Sequence, residues 1–309
     1  MRWVVYFCLI LSLAATSSTV RAATQKDSYL EMARQGWSYE LRTTMIGRDL
    51  SIPVHINGRD LAGASICMVG ERPNAGSLDV INAFRKLVAH IYGKPVPMRF
   101  AGHSAEDCGQ GRMIVLRLYS GAPPNSALSD DLNWMNRTYQ LGLPKDRFYA
   151  ASSPAMAQTF FGRRGQGTHI LVQQTAVPGS DRLEDIFFRS ILVEELYQSF
   201  TFGMDILQFD KQGPFYSKLQ EVPLNLNRLP WGSRAFKKAL LGTNPPGLCE
   251  FDVLMMHAVA KAPVDETTMP VFIDFIDDNF DDLVAATRAT LADDTYQIIL
   301  DTDCRPALD

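Results

Sequence analysis

The chain of 309 residues carries 30 Lys and Arg against 34 Asp and Glu, which gives a formal net charge of −4. This mildly acidic balance provides no electrostatic surface for nucleic acid, so nucleic-acid binding is excluded as a function. The hydrophobic fraction of 46% suits a globular protein with a sizeable core. The length allows one large domain or two small ones.

The N-terminus is organised like a secretory signal peptide. Arg2 precedes an apolar run, Trp3 to Leu13, that is too short to span a bilayer. Val20 and Ala22 stand at the −3 and −1 positions of a cleavage site, so residues 1–22 are predicted to be removed. The alternative is a retained N-terminal anchor. No later stretch is long and apolar enough to form a transmembrane segment, and we expect a secreted or periplasmic protein.

Four cysteines follow the predicted cleavage site: Cys67, Cys108, Cys249 and Cys304. An even number of cysteines in an exported protein indicates two disulfides, for which three pairings are possible. Proximity in sequence favours Cys67 with Cys108 and Cys249 with Cys304. The alternative is a set of four free thiols, whereas the wide spacing argues against a zinc knuckle.

Hydrophobic periodicity divides the chain into strands and helices. Strands are predicted at 43–57, 96–102, 112–120 and 168–177, and helices at 76–93, 132–143, 182–202, 249–261 and 269–292, with a loop at 121–131 and irregular chain at 208–247. Ser77 and Asp181 are the expected N-caps of the helices at 76–93 and 182–202. This order predicts an α+β protein with an α/β subdomain at 23–203 and a mainly helical C-terminal subdomain at 204–309.

The most unusual stretch is "ILVEELYQSFTFGMD", residues 191–205. Apolar side chains surround a helical wheel of residues 186–200, which is typical of a buried helix. Glu194, Glu195 and Gln198 fall within an arc of about 100° on that wheel. Two carboxyl groups on a buried helix are costly unless a cation, hydrogen-bond donors or water stabilises them.

Zinc peptidases place two histidines at positions i and i+4 of such a helix, and the glutamate after the first histidine is the general base. Here Glu194, Glu195 and Gln198 occupy those three positions. A side-chain amide is a poor zinc ligand. None of the five histidines forms an H-x-x-x-H pair with another, and His257 is interpreted as a structural residue of the core.

Three segments, "THILVQQTAV", "FFRSILVEELYQSFTFGMD" and "EFDVLMMHAVAK", resemble an uncharacterised family of exported bacterial proteins. That family is similar to the zincin metallopeptidase fold, with E-E-x-x-Q in place of H-E-x-x-H. The resemblance covers about residues 165–262 and includes Glu194, Glu195, Gln198, Gly203 and Asp252. It implies a zincin-like fold in which a mixed sheet with an exposed edge strand precedes the central helix, and residues 168–177 are the expected edge strand. It implies no reaction.

The leading hypothesis is a non-catalytic, zincin-like protein without a cofactor, which binds an extended peptide or an envelope protein or has a structural role. Its candidate binding residues are Glu194, Gln198, Asp252 and His169, the last of which opens a predicted strand. The alternative is a metal-dependent hydrolase of the peptidase class, with zinc as its cofactor, in which Glu195 is the general base and Glu194 and residues outside this helix are the metal ligands.

Overall fold

The computed structural model describes residues 25–39, 51–52, 54–210 and 212–307. The predicted signal peptide, residues 1–22, lies outside the described residues. The helices are α1 (25–37), α2 (Ala75–Tyr92), α3 (Asn125–Tyr139), α4 (Arg182–Thr201), α5 (Arg234–Leu241), α6 (Glu250–Lys261), α7 (Pro270–Asp278) and α8 (Phe280–Leu291). The strands are β1 (Ser65–Gly70), β2 (Met98–Gly102), β3 (Met113–Tyr119), β4 (Ala155–Gly162), β5 (Gly165–Gln173), β6 (Ile206–Leu207) and β7 (Gln220–Glu221). Short 3-10 turns lie at Gly58–Leu61, Ala105–Cys108, Leu226–Arg228 and Asp294–Ile299.

One mixed sheet contains five of these strands, in the order β2-β1-β3-β5-β4. All neighbours are parallel except β4 and β5, which form an antiparallel hairpin closed by the pair Gly162 and Gly165. Residues 165–173 therefore lie inside the sheet, and the expectation that residues 168–177 form the edge is wrong. The edge strands are β2 and β4, and β4 lies next to β5. Strand β4 was not predicted because its sequence, "AMAQTFFG", does not alternate between polar and apolar residues.

The sheet is covered on both faces. Helix α4 contacts β4 and β5 on one face, and the buried side chains of α2 and α4 belong to a large apolar cluster that also takes in residues of α1, α6, α7 and α8. Helix α3 packs on the other face over a smaller cluster that contains Cys67, Val115 and Leu171. The protein is thus a mixed α/β structure, and the larger cluster contains residues from both of the segments predicted as subdomains.

Helix α4 forms where the sequence predicts it. The side chain of Asp181 accepts a hydrogen bond from the N–H of Leu183 and caps the helix. The helix ends at Phe202, whose backbone is left-handed with φ 57°. A Cβ atom on Gly203 would lie 2.6 Å from side-chain atoms of both Trp37 and Leu219, so only glycine fits at this exit.

Several predicted elements need correction. Helix α3 begins at Asn125 inside the predicted loop, and α5 lies inside the predicted irregular segment. The predicted helix at 269–292 is two helices, α7 and α8, separated at Asn279, whose side chain donates to the carbonyl of Phe275. Asn74, rather than Ser77, caps α2 and accepts the N–H of Ser77. Of the strand predicted at 43–57, residues 43–50 and 53 lie outside the described residues, and the rest is irregular chain.

Two disulfides connect Cys67 with Cys108 and Cys249 with Cys304. These are the pairings that proximity in sequence favours. The first attaches β1 to the turn before β3, and the second attaches the C-terminal segment to the start of α6. Within the described part of the chain, no helix is long and apolar enough to cross a membrane.

Candidate functional site

Glu194, Glu195 and Gln198, the three site residues predicted on α4, contact different neighbours. Glu195 is buried, and its carboxyl group accepts a hydrogen bond from the N–H of Ala157 on the edge strand β4. Burial raises the pKa of Glu195 well above its ordinary value, and the charges of Glu194 and Asp205 raise it further. Glu195 is therefore protonated over a much wider pH range than an exposed glutamate.

Glu194 contacts a buried lysine. The Nζ atom of Lys218 lies 2.7 Å from Oε2 of Glu194 and 3.0 Å from Oγ of Ser190, and the lysine side chain has no solvent exposure. The amide of Asn244 donates to the same Glu194 oxygen at 3.0 Å. In the zinc-peptidase pattern, the residue at the position of Glu194 binds the metal. Here Glu194 instead binds the ammonium group of Lys218.

Asp252 fixes the segment that carries Lys218. Its Oδ2 accepts the N–H groups of Lys218 and Cys249, both at 2.7 Å, and its Oδ1 accepts the hydroxyl of Ser217. Burial raises the pKa of Asp252 to about 6, against the effect of these hydrogen bonds. Because Asp252 is completely buried and its oxygens already have donors, the structure places it behind the site as a positioning residue.

A group of three carboxylates lies around Glu194. One oxygen each of Glu194, Asp205 and Glu221 lies within 4.8 Å of the others. Partial desolvation, together with the charge of Glu194, raises the pKa of Asp205 to about 6 and that of Glu221 to about 7. An all-carboxylate donor set suits hard ions such as Mg²⁺ or Ca²⁺ better than zinc. Gln198 completes the group, since its amide donates to Asp205 at 2.5 Å.

A groove of about 370 Å³ runs beside β4, and we call it the β4 groove. Its lining is Tyr39, Val54, Ile56, Leu141, Leu143, Ala157, Thr159, Phe160, Phe161, Gln198, Ser199, Phe202, Gly203, Met204 and Asp205. The N–H of Ala157 points away from β5, because it donates its hydrogen bond to Glu195. In an antiparallel strand, the N–H and C=O groups of successive residues point alternately towards and away from the neighbouring strand. Those of Thr159 and Phe161 therefore point away from β5, as the N–H of Ala157 does. No described residue hydrogen-bonds the backbone of Thr159 or Phe161 there.

His169 does not join these residues. It lies on the α3 side of the sheet, is 3% exposed, and its Nε2 is 2.9 Å from Oδ2 of Asp131. Arg117 donates two further hydrogen bonds to the same carboxylate, at 2.5 and 2.7 Å. Although burial opposes ionisation, these partners lower the pKa of Asp131 below its ordinary value. Arg117 and Asp131 form a buried ion pair to which His169 is hydrogen-bonded, and none of the three residues lines the β4 groove.

Sequence reasoning missed the residues that complete the site: Asp205, Lys218, Glu221 and Asn244. Asp205 follows Gly203 closely and could have been found from its place beside the helix end. Lys218 and Glu221 lie in the segment predicted as irregular, and Asn244 lies near its end. Nothing in the local pattern of that segment indicates that it folds back onto α4.

No protein-family model matches the chain, no curated protein is significantly similar to it, and no solved structure matches its fold. A functional proposal for this protein therefore depends on the geometry described above.

Proposed function

We propose that this is an exported, non-catalytic protein of zincin-like architecture that binds an extended peptide segment of a partner along β4. The observation that carries the non-catalytic part is the buried ammonium of Lys218 at 2.7 Å from Glu194. A divalent cation bound by Glu194 would lie next to this ammonium and be repelled by it in a medium of low dielectric constant. The lysine thus competes with a metal for the same carboxylate.

The peptide-binding part is supported by the edge of the sheet. A strand that pairs on one side only presents a row of backbone donors and acceptors to an incoming strand. Along β4 these groups belong to Thr159 and Phe161, and the apolar walls of the groove can receive the side chains of the bound segment. The resemblance to zincins implies the same binding mode, since the substrates of that fold pair with an edge strand that precedes the central helix.

A proline substitution tests this binding mode. Thr159→Pro removes one outward N–H from β4 and leaves the hydrogen bonds to β5 in place, which edge strands tolerate. Thr159→Val is the matched control, because both variants lose the side-chain hydrogen bond to Thr168 but valine keeps the N–H. In a screen of immobilised extended peptides, we expect binding to the wild type and to Thr159→Val, and loss of binding in Thr159→Pro. Equal binding by both variants, with native melting curves, would refute the edge-pairing mode.

A metal-dependent hydrolase is the second candidate, and the three-carboxylate group favours it. Glu194, Glu195, Glu221 and Asn244 all line a small cavity of about 80 Å³, so a cation there would lie close to a candidate base. Elemental analysis of the purified protein and a peptide-library cleavage assay, with and without added zinc, separate the two candidates. We expect no stoichiometric metal and no cleavage. Metal-dependent cleavage that disappears in Glu195→Gln would establish the hydrolase instead.

Export is proposed from the N-terminal sequence and is supported by the two disulfides, which are characteristic of oxidising compartments. The predicted cleavage after Ala22 is checked by mass spectrometry of protein recovered from the exported fraction. We expect an N-terminus at Ala23, and an intact Met1 in that fraction would contradict the cleavage.

A further inference from the structure

The side chains that line the β4 groove are mostly apolar. Among the described lining residues Asp205 is the single one that carries a formal charge. Its carboxylate accepts a hydrogen bond of 2.5 Å from the side-chain amide of Gln198, close to the C-terminal end of α4. A ligand in this groove therefore meets an apolar wall over most of its length and one negative charge at a defined place.

The cluster behind Asp205 has more negative than positive charge. Three carboxylates lie within 4.8 Å of one another, and among the described residues Lys218 forms an ion pair with one of them, Glu194. That ammonium is already bonded to Glu194 and Ser190. Asp205 is influenced more strongly by the negative charge of Glu194 than by the positive charge of Lys218. Within the described part of the chain, no cation forms an ion pair with Asp205 on the groove side.

We propose that the β4 groove selects a peptide segment in which apolar residues flank a Lys or Arg, whose cationic group binds Asp205. This inference rests on the proposed peptide-binding function and specifies the chemistry of the partner. Charge complementarity favours a basic segment, because a cation would relieve the repulsion between Asp205 and Glu194 while the apolar side chains leave water. An acidic segment would add a like charge to the cluster and be rejected.

Fluorescence polarisation with three labelled peptides tests the proposal. The peptides share one extended apolar sequence and differ at a central position, which is lysine, norleucine or glutamate. Norleucine keeps the hydrocarbon chain of lysine without its charge. We expect the lysine peptide to bind about tenfold more tightly than the norleucine peptide, and the glutamate peptide to bind most weakly.

Asp205→Asn should abolish the preference for lysine, so that the lysine and norleucine peptides bind this variant with equal affinity. Asp210→Asn is the matched control, because Asp210 is an exposed aspartate nearby in sequence that does not line the groove, and its variant should keep the full preference. If Asp205→Asn fails to fold, added salt provides a second measurement on the wild type. The lysine preference should shrink as the salt concentration rises.

The outcomes separate this inference from the proposed function. If the three peptides bind equally tightly, the basic specificity is wrong and peptide binding stands. If the lysine preference survives in Asp205→Asn, the site of the cation is assigned to the wrong residue and the inference falls. If none of the peptides binds, both the inference and the proposed peptide-binding function fail.

Discussion

Lys218 and Glu194 form an ion pair of 2.7 Å in which the lysine side chain is completely buried and the glutamate side chain is 16% exposed. The pair joins the central helix to a segment that lies 24 positions further along the chain, between α4 and β7. Two charges removed from water are stable only when each has the other and further hydrogen bonds, which Ser190 and Asn244 supply here. The free energy of unfolding should therefore fall when one partner is replaced and change much less when both are replaced.

Replacing the lysine alone tests this relationship. Lys218→Met leaves Glu194 charged and largely buried without its cation, and we expect the free energy of unfolding to fall by about 3 kcal/mol, the low end for a broken buried pair. The double variant Lys218→Met with Glu194→Gln should recover most of that loss. Urea denaturation measures both. Lys238→Met is the control, since Lys238 is exposed on α5 and its replacement should change stability by less than about 0.5 kcal/mol. A single variant as stable as the wild type would show that the pair contributes nothing.

The raised pKa of Glu195 gives a prediction about pH. A carboxyl group whose pKa is higher in the folded protein stabilises the fold fully below its unfolded pKa of 4.5, and that contribution is lost as the pH rises through the folded pKa. Glu195→Gln removes this titration, so its stability relative to the wild type should increase steadily as the pH is raised from 4.5. Glu195→Ala should cost about 1–3 kcal/mol, because it leaves a void and an unpaired N–H on Ala157. Denaturation curves at a series of pH values check both. A constant difference between Glu195→Gln and the wild type would contradict the expected titration.

His257 should limit stability at acidic pH. The hydroxyl of Thr290 donates to the carbonyl of Ala286 and accepts from Nε2 of His257, so the proton is on Nε2, and Nδ1 is buried without a partner among the described residues. Burial, with the charges of Lys261 and His90, lowers the pKa of His257 to about 4. A lowered histidine pKa stabilises the fold above the unfolded value of 6.5, and the contribution is lost as the pH falls through 6.5 towards 4.

The corresponding variant is His257→Leu, which cannot take up a proton. Relative to the wild type, we expect it to gain stability as the pH is lowered from 6.5 to 4, in the same urea titrations. His103→Leu serves as the control, because it removes an exposed histidine. If the His257→Leu curve follows the wild type, burial does not lower the pKa of His257 and the prediction is wrong.

The disulfides should be complete in the exported protein. The chain from Ala23 onwards should show no free thiol when it is denatured without reductant. Removing the bond between Cys249 and Cys304 with a double alanine variant should lower the free energy of unfolding by about 2–5 kcal/mol, because the bond restricts a long segment of the unfolded chain. Titration of two or more thiols per molecule would contradict the two-bridge arrangement.

Local signals predicted much of the secondary structure. Helical periodicity indicated α2 and α4 from residues 76–93 and 182–202. The ends of α4 follow from its immediate neighbours, the capping side chain of Asp181 and the glycine at position 203. The burial of Glu195 also follows from its own helix, since the apolar residues around it leave no solvent-exposed face for α4. The edge position of β4 could not be predicted in this way, because which strand lies outermost depends on how five separate strands pair.

By itself, the sequence determined that α4 is buried, that its carboxyl groups need partners, and which cysteines lie near each other along the chain. Only the tertiary structure decided what those partners are. Lys218 and Glu221 reach Glu194 through the return of a segment with no regular pattern, and Asp252 holds that segment from a helix further along the chain. Local periodicity describes neighbours within a turn or a pleat, whereas ion pairs between distant segments follow from the path of the whole chain around its core.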